Sequence, residues 1–288
     1  MTTLRVRVPA SIANLGSGFD VLAFAVDLWL EVEVGAEPAD APGWTFTGEG
    51  AATLGASANP LSRLPLRGTV RNFVPMGVGL GSSAAARVAA AALLGLDRDA
   101  AFARASEEEG HPDNAAAATY GGVRLSSAGH LLSLPAPDAE IALLVANEPA
   151  PTDHARAALP PSVPLGDAVF NAGRVGLLVD ALHTGRLHLL REAMEDRLHQ
   201  PPRRHLYPWT AAAIEAALRE GAYGAAISGA GPSVFAVTPP NLGAAVAQAM
   251  AGAAPGRGRP LVSRVARRGL EIVRDARPEV RGEGGVSG

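Results

Sequence analysis

The residues best placed to do chemistry form a glycine-rich stretch in the first third of the chain. Gly77, Gly79 and Gly81 alternate with apolar residues, and two serines follow directly. Glycine lets the backbone approach a ligand closely and adopt a positive φ without steric cost. The next residues, 84–96, are almost all alanine and leucine, which predicts a helix over 82–96 with the serines in its first turn. Because a helix start offers free N–H groups and a favourable dipole, the stretch predicts a phosphate site.

The same pattern also fits a glycine loop joined to a buried alanine helix with no ligand, so that alternative stays open. Two common phosphate-binding folds are excluded. A Walker loop needs a lysine after its glycines, whereas all 25 Lys and Arg residues of this chain are arginine. A Rossmann fingerprint needs a strand directly before the glycines and an acid at the end of a second strand. Here Pro75 precedes the loop, and Asp97 follows the helix.

Composition removes several other classes of function. The 288 residues suffice for two modest domains or one large one, and a net charge of −3 gives no electrostatic argument for nucleic acid or an anionic membrane. The absence of cysteine excludes thiol catalysis, thiolate metal sites and disulfides, and the absence of lysine excludes Schiff-base chemistry. No apolar run reaches the ~18 residues of a membrane helix, and no signal peptide is visible. These features predict a cytoplasmic protein.

Five stretches share the order and composition of one family's motifs. They are residues 8–20, 75–85, 109–114, 196–203 and 227–233. Together they resemble the GHMP small-molecule kinases, and among them the branch that phosphorylates homoserine. The resemblance extends from about residue 4 to residue 270. Five ordered matches are specific, whereas any one of them alone would be weak.

The resemblance implies an α+β protein with a two-domain GHMP kinase fold. Residues 1–148 would form a ribosomal-protein-S5-like domain that carries the phosphate loop, and 149–288 a ferredoxin-like domain. It further implies ATP-dependent phosphorylation of L-homoserine to O-phospho-L-homoserine in threonine biosynthesis, with Mg²⁺. The expected partners are homoserine and ATP alone, in a monomer or homodimer. The alternatives are a GHMP kinase for another alcohol, or a non-catalytic nucleotide-binding protein.

The resemblance also assigns the nucleotide and metal ligands. It places Ser83 and Glu109 on Mg²⁺, which prefers oxygen ligands, although Glu108 could serve instead and Glu109 could be a solvated acid. It assigns Asn59 to the adenine. It assigns ATP to the loop residues Pro75, Met76, Gly77, Val78, Gly79, Leu80, Gly81, Ser82, Ser83, Ala84 and Ala85.

An amino-acid substrate needs an arginine for its carboxylate and an acid for its ammonium. The resemblance nominates Arg156 and Arg203 for the first role and Asp20 for the second. It nominates as further polar contacts Asn14, His111, Asn114 and Thr152. Each nominee has a structural alternative, namely a surface arginine, a turn or cap residue, or a helix-start histidine.

The catalytic residues nominated in this way are Asn14, Asn114 and Arg203. We expect no side-chain base: the two asparagines orient the substrate hydroxyl, and its proton leaves late to phosphate. Asn114→Ala should therefore lower turnover more than Asp113→Ala. The other histidines show no metal-binding pattern and are interpreted mostly as surface or core residues: His183, His188, His199 and His205.

Local patterns predict the elements that position these residues. Strands are expected at 4–8, where Pro9 ends the first, and at 21–34, 44–47, 123–126, 130–134, 141–146, 224–227, 233–237 and 261–267. Helices are expected at 82–96, 98–109, 111–119, 153–159, 167–184, 186–198, 209–220 and 241–251. No helix is expected before residue 82, and the residues between Asn59 and Pro75 are too few for the helix and strand that the family usually has there.

Overall fold

A computed structural model describes residues 3–35, 43–56 and 59–275. The strands are β1 (Thr3–Asn14), β2 (Gly18–Gly35), β3 (Gly43–Gly48), β4 (Arg67–Asn72), β5 (Val123–Ser127), β6 (His130–Leu134), β7 (Glu140–Ala146), β8 (Gly224–Ile227), β9 (Val234–Thr238), β10 (Gly258–Ser263) and β11 (Glu271–Asp275).

The helices are α1 (Ala51–Ala56), α2 (Ser82–Leu93), α3 (Arg98–Glu109), α4 (Asp113–Tyr120), α5 (Thr152–Ala157), α6 (Leu165–Thr184), α7 (Leu190–Ala193), α8 (Gln200–Arg203), α9 (Thr210–Arg219) and α10 (Gly243–Ala253). A single 3₁₀ turn spans Leu187–Leu189. In the described ranges no helix is long and apolar enough to cross a membrane.

The larger sheet is built on the long antiparallel pair of β1 and β2. The prediction that Pro9 ends the first strand is wrong, because β1 continues to Asn14. Pro9 lies opposite Trp29 at a register shift, and a bulge spares proline the ladder hydrogen bond that it cannot donate. A second shift between Ala13 and Asn14 closes the hairpin. The continuation carries the first motif from the sheet edge into the middle of the molecule.

A short crossover joins two strands at the far edge of this sheet. The strands β3 and β4 pair in parallel, and α1 lies between them in the chain. The expectation of no helix before residue 82 is therefore wrong. The segment between Asn59 and Pro75 also retains a strand, β4, with its helix placed before Asn59 rather than after it. A Gly- and Ala-rich helix of six residues has too little periodicity to be recognised in the sequence.

Alanine-rich helices cover the inner face of the larger sheet. The helices α2 and α4 both pack on β1, and their alanines are buried. Small side chains let these helices approach the strands closely, which brings their first turns next to the first motif. The predicted helices α2, α3 and α4 are confirmed.

The smaller sheet is antiparallel, with the order β10-β7-β9-β8. Two sequence predictions fail around it. The expected helix at 186–198 is interrupted after α7, because the carboxylate of Asp196 accepts the N–H groups of residues 198 to 200 and ends the helical pattern. The expected strand at 261–267 is shorter, and β11, which the sequence did not predict, returns to pair with β1.

The two sheets confirm the predicted α+β architecture, and they exchange strands. The strand β7 precedes residue 149 yet pairs with β9 and β10, while β11 follows it yet joins the larger sheet. One hydrophobic core also runs through both halves, with Phe24 and Phe235 in edge-to-face contact at 5.6 Å. The division at 148/149 stays a prediction.

Two glycine loops meet where the halves join. Gly79, with a φ of 85°, would place a Cβ 2.2 Å from the carbonyl oxygen of Ser228. Gly81 would place one 2.0 Å from Oγ of Ser11. No side chain fits at these positions, so the glycines are required by packing as well as by backbone conformation.

Replacing Gly79 by alanine should therefore destabilise the fold through this contact. Gly95 is the matched control, because its φ is 84° and a Cβ there would meet nothing within 4 Å. We expect Gly95→Ala to cost about 1 kcal/mol for its backbone conformation. Gly79→Ala should cost about 1–3 kcal/mol more for the clash. Urea unfolding of both variants measures the difference, and equal costs would contradict the packing argument.

Candidate active site

The phosphate loop, residues 75–81, uses its carbonyl groups for structure and leaves most of its N–H groups unbonded; the N–H of Gly77 donates to Oγ of Ser82 at 3.4 Å. The N–H groups of residues 78–84 have no hydrogen-bond partner among the described residues. Successive free N–H groups of this kind form a concave anion site. Each carbonyl oxygen from Gly77 to Leu80 accepts a hydrogen bond. Gly77 O accepts from Ala150 N (2.8 Å) and Val78 O from Ser233 N (3.2 Å). Gly79 O accepts from Ser228 Oγ (2.5 Å) and Leu80 O from Ser11 N (3.2 Å).

The start of α2 adds to this site because no side chain caps it. Its N-cap is Gly81, in the left-handed conformation, and no side chain bonds the first N–H groups. Ser82 and Ser83 lie in the first turn as predicted. Ser83 does not cap this helix, because its hydroxyl donates to Glu109 of another helix. The orphan N–H groups remain available for an anion.

Ser83 and Glu109 meet beside the phosphate loop. The hydroxyl of Ser83 donates to Oε1 of Glu109 at 2.6 Å, and Nε of Arg87 donates to the same oxygen at 2.7 Å. Glu109 is not a solvated acid, since only 11% of its side chain is exposed. Glu108 pairs instead with Arg104 at 2.9 Å. Two oxygen ligands at this position suit Mg²⁺, and the carboxylate that lies beside Ser83 is that of Glu109 rather than Glu108.

The two predicted catalytic asparagines are held differently. Asn14 has a φ of 76°; its Nδ2 donates to Gly229 O at 2.8 Å, and its Oδ1 accepts the N–H of Asp20 at 3.1 Å. It is therefore a turn residue that ties the two halves together, whatever else it contacts. Asn114 accepts one hydrogen bond on Oδ1, from Ser11 Oγ at 2.8 Å. Its Nδ2 has no partner within the described residues, so it is free to donate to a ligand.

Arg156 and Asp20, nominated for opposite ends of an amino acid, bind each other. Two parallel hydrogen bonds of 3.0 Å join Nη1 and Nη2 of Arg156 to the two carboxylate oxygens of Asp20. Both side chains remain partly exposed. Thr152 lies one helical turn before Arg156, on the same face of α5.

His111 and Asp113 form a buried pair next to this ion pair. Nδ1 of His111 lies 2.7 Å from Oδ1 of Asp113, and this hydrogen bond raises the pKa of His111 above its ordinary value. Asp113 also accepts the N–H of Asn114 at 2.6 Å. Ligand atoms of Asp20, His111 and Asp113 lie within 4.8 Å of one another. Since Arg156 bonds both carboxylate oxygens of Asp20, we assign no metal to this cluster.

Arg203 is the more buried of the two arginines that line the site. Only 2% of it is exposed, and no carboxylate in the described part of the chain pairs with it. Nε donates to Ala155 O at 3.0 Å, and Nη1 lies 3.0 Å from Nδ1 of His199 and donates more weakly to Gly229 O at 3.4 Å. Nη2 has no partner among the residues that the structure describes. Burial lowers the pKa of Arg203 from its ordinary value, although such a group stays charged. A buried guanidinium without an acid is a strong anion receptor.

Two aromatic rings that the sequence did not single out support the arginines. Phe19 lies 5.6 Å from the guanidinium of Arg203 and 5.9 Å from that of Arg156. His199 stacks on Phe19 at 5.1 Å and is fully buried. Both residues stand inside recognised motifs, but burial and stacking leave no signal in a single sequence.

A cavity of about 120 Å³ connects these groups. Its size suits a small molecule, and it is below the ~300 Å³ of pockets for larger ligands. Asn59 does not line it; its amide bonds the backbone of Leu54, Leu61 and Ser62. The side chains of four further loop nominees are buried in the core: Val78, Leu80, Ala84 and Ala85. The nominated lining residues are Asn14, Asp20, Gly77, Gly79, Gly81, Ser82, Ser83, Glu109, His111, Asn114, Thr152, Arg156 and Arg203.

Comparison with known proteins defines the class. The family model "GHMP kinases N terminal domain" matches residues 50–122, and "GHMP kinases C terminal" matches residues 178–255. The chain therefore belongs to the GHMP kinases and is an ATP-dependent small-molecule kinase.

Two proteins that match almost the whole chain at 30% identity or more are homoserine kinases. Homoserine kinase of Thermus thermophilus is 43% identical over 278 residues, which cover 90% of this chain and 94% of that protein. A crystal structure of homoserine kinase from Cytophaga hutchinsonii has a TM-score of 0.79 at 30% identity and covers 94% of this chain and 97% of its own.

The fold also serves another substrate. A crystal structure of L. major mevalonate kinase in complex with R-mevalonate has a TM-score of 0.70 at 16% identity and covers 90% of this chain and 94% of its own. The fold alone therefore does not determine which alcohol is the substrate.

Proposed function

We propose that this kinase transfers the γ-phosphoryl group of ATP to the hydroxyl of L-homoserine and yields O-phospho-L-homoserine. The observation that carries the proposal is the ion pair of Arg156 and Asp20, set beside the unpaired Arg203 in a cavity that opens onto the phosphate loop. The product serves threonine biosynthesis, as in the branch that the motifs resemble.

The phosphates of ATP fit the main-chain amides of residues 78–84. Phosphoryl transfer requires neutralisation of the charge on the transferred group and alignment of its acceptor. Unbonded N–H groups can supply part of this without a lysine, since they are fixed by carbonyl hydrogen bonds on the other side of the loop. Of the nominated loop residues, those with buried side chains can contribute only these N–H groups. The adenine contact of Asn59 stays a prediction.

The charge pattern of the cavity fits a zwitterionic α-amino acid. Arg156 and Asp20 satisfy each other, so a ligand that separates them must replace both partners. A molecule with a carboxylate and an ammonium does so, because it offers each of the two charges an opposite partner. A neutral alcohol can replace neither. Nη2 of Arg203 and the donors of Thr152 and His111 lie within the same cavity to hold the carboxylate.

The hydroxyl of the substrate is oriented by amides rather than deprotonated by a base. Nδ2 of Asn114 is free to donate to it, and Asn14 holds the adjoining turn. Asp113 already accepts hydrogen bonds from His111 and from the N–H of Asn114. A carboxylate engaged in this way is a weak proton acceptor, so the proton leaves late to the phosphate.

Mg²⁺ fits the oxygens of Ser83 and Glu109. When bound there it would supply charge neutralisation to the phosphates of ATP. Arg87, which shares the Glu109 oxygen, holds that carboxylate in place.

An ADP-release assay with a panel of alcohols tests the proposal. We expect L-homoserine to accelerate ADP release strongly, whereas mevalonate and sugars should not, because they lack the ammonium that Asp20 requires. Faster release with one of those alcohols would favour a different GHMP kinase. Binding of homoserine with no ADP release would favour a non-catalytic protein.

The orientation of the hydroxyl is tested by two neighbouring substitutions. Asn114→Ala should lower kcat much more than Asp113→Ala, because only Asn114 has a donor free for the substrate. Steady-state kinetics measures both, with circular dichroism to verify folding. The opposite order would identify Asp113 as a base.

The metal ligand is tested with adjacent glutamates. Glu109→Gln should raise the Mg²⁺ concentration needed for half-maximal activity about tenfold or more, as for a lost charged ligand. Glu108→Gln is the matched control and should have little effect, since Glu108 pairs with Arg104 on the surface. A larger effect at Glu108 would reverse the assignment.

A further inference from the structure

His199 is a buried residue for which the reaction has no obvious use. It precedes α8, is fully buried, and lies against no solvent or metal site. Its nearest carboxylate is that of Asp196, 3.8 Å from Nε2. A buried histidine of this kind is normally a packing residue, but both of its ring nitrogens are engaged here.

The hydrogen-bond partners of His199 determine its tautomer. Nε2 lies 2.8 Å from the carbonyl oxygen of Gly16, which can only accept, so Nε2 carries the proton. Nδ1 lies 3.0 Å from Nη1 of Arg203, which can only donate, so Nδ1 is an acceptor. The ring is therefore neutral. Burial lowers the pKa of His199, which agrees with this assignment.

The ring connects Arg203 to the first motif. Gly16 has a φ of 79° and would place a Cβ 2.1 Å from Met194 O, so its carbonyl is fixed against the second half of the chain. His199 also stacks on Phe19 with an interplanar angle of 19°. Together with Ala155 O, the histidine fixes two of the three guanidinium nitrogens of Arg203. The third, Nη2, has no partner in the described part of the chain.

A neutral acceptor suits this task better than an acid. A carboxylate at the same place would form an ion pair with Arg203 and weaken its attraction for a ligand anion. Imidazole holds the guanidinium through one hydrogen bond and leaves its charge uncompensated.

We propose that neutral His199 is a positioning residue that accepts a hydrogen bond from Nη1 of Arg203 and so presents Nη2 to the carboxylate of the substrate. This inference rests on the proposed function, because it takes the anion to be the substrate carboxylate. His199 itself does not contact the substrate.

Two substitutions separate positioning from space-filling. His199→Phe keeps the ring and its stacking on Phe19 but removes the acceptor. His199→Asn is smaller and leaves a gap, but its Oδ1 can accept from Arg203 near the position of Nδ1. We expect His199→Phe to raise KM for homoserine about tenfold or more, as for a lost hydrogen bond to a charged group, with KM for ATP unchanged. His199→Asn should restore most of this loss. A space-filling role predicts the reverse order and would overturn the proposal.

His205 provides a matched control. It is exposed, and its Nδ1 faces the backbone oxygen of Pro202. His205→Phe and His205→Asn should both leave KM for homoserine within about twofold of the wild type. In the background Arg203→Lys, His199→Phe should have little further effect on KM, because the residue acts through Arg203. Additive losses would contradict this pathway.

A measurement without substrate distinguishes this proposal from the proposed function. Histidine ¹⁵N NMR of the wild type should show Nδ1 of His199 unprotonated and Nε2 protonated, and Arg203→Lys should shift the Nδ1 signal. Protonation of Nδ1 would overturn the positioning role even if homoserine is the substrate. If the NMR pattern is as predicted but homoserine does not accelerate ADP release, the contact between His199 and Arg203 is supported and homoserine is rejected as the substrate.

Discussion

The site depends on the different roles of the two sides of the phosphate-loop backbone: its carbonyl groups are hydrogen-bonded within the protein, and its N–H groups are left for a ligand. On one side, every carbonyl oxygen from Gly77 to Leu80 accepts a hydrogen bond from a strand or loop, and these donors come from both halves of the chain. The other side is left with N–H groups that have no partner within the described residues. A flexible loop could offer the same amides, but it would have to reorganise to bind phosphate. Here the orientation is already fixed by folding, which is the condition for strong electrostatic stabilisation.

That fixation explains why the two halves of the chain cannot be treated as independent. Gly79 contacts Ser228 and Gly81 contacts Ser11, so the loop is held between the motifs at residues 8–20 and 227–233. The exchange of β7 and β11 between the sheets strengthens the same junction. Any relative movement of the sheets would therefore disturb the anion site directly. Rigid coupling of this kind keeps the reacting groups in position but does not allow large motion between the two halves.

Much of the architecture could be predicted because it has local periodic signals. The alanine helix α2, the capped helix α3 and the β5–β6 hairpin follow from residue types and turns. The failures have a common cause in tertiary contacts. Pro9 does not end β1, because a bulge opposite Trp29 accommodates it, and Asp196 ends a helix through a carboxylate that folds back on its own backbone. Neither effect is visible in the hydrophobic pattern.

In the candidate site, too, the sequence does not reveal which tertiary contacts individual residues make. The resemblance nominated Ser83 with Glu109, and Arg156 with Asp20, for one site, and the structure brings each pair into contact although 136 positions separate the latter two. The same reasoning could not choose Glu109 over Glu108, because the choice is made by the direction in which α3 faces. It also passed over Phe19 and His199, since their value lies in stacking and in a tautomer set by neighbours from distant motifs.

The two arginines of the cavity illustrate how one residue type can have two electrostatic roles. Arg156 is paired with an acid and partly exposed, so its charge becomes available only to a ligand that also satisfies Asp20. Arg203 is buried and held by neutral acceptors, so its charge is always available. The first arrangement favours selection of a zwitterion, and the second favours attraction of any anion. Under the proposed function, their combination, rather than either arginine alone, distinguishes an amino-acid alcohol from the other alcohols that this fold accepts in related kinases.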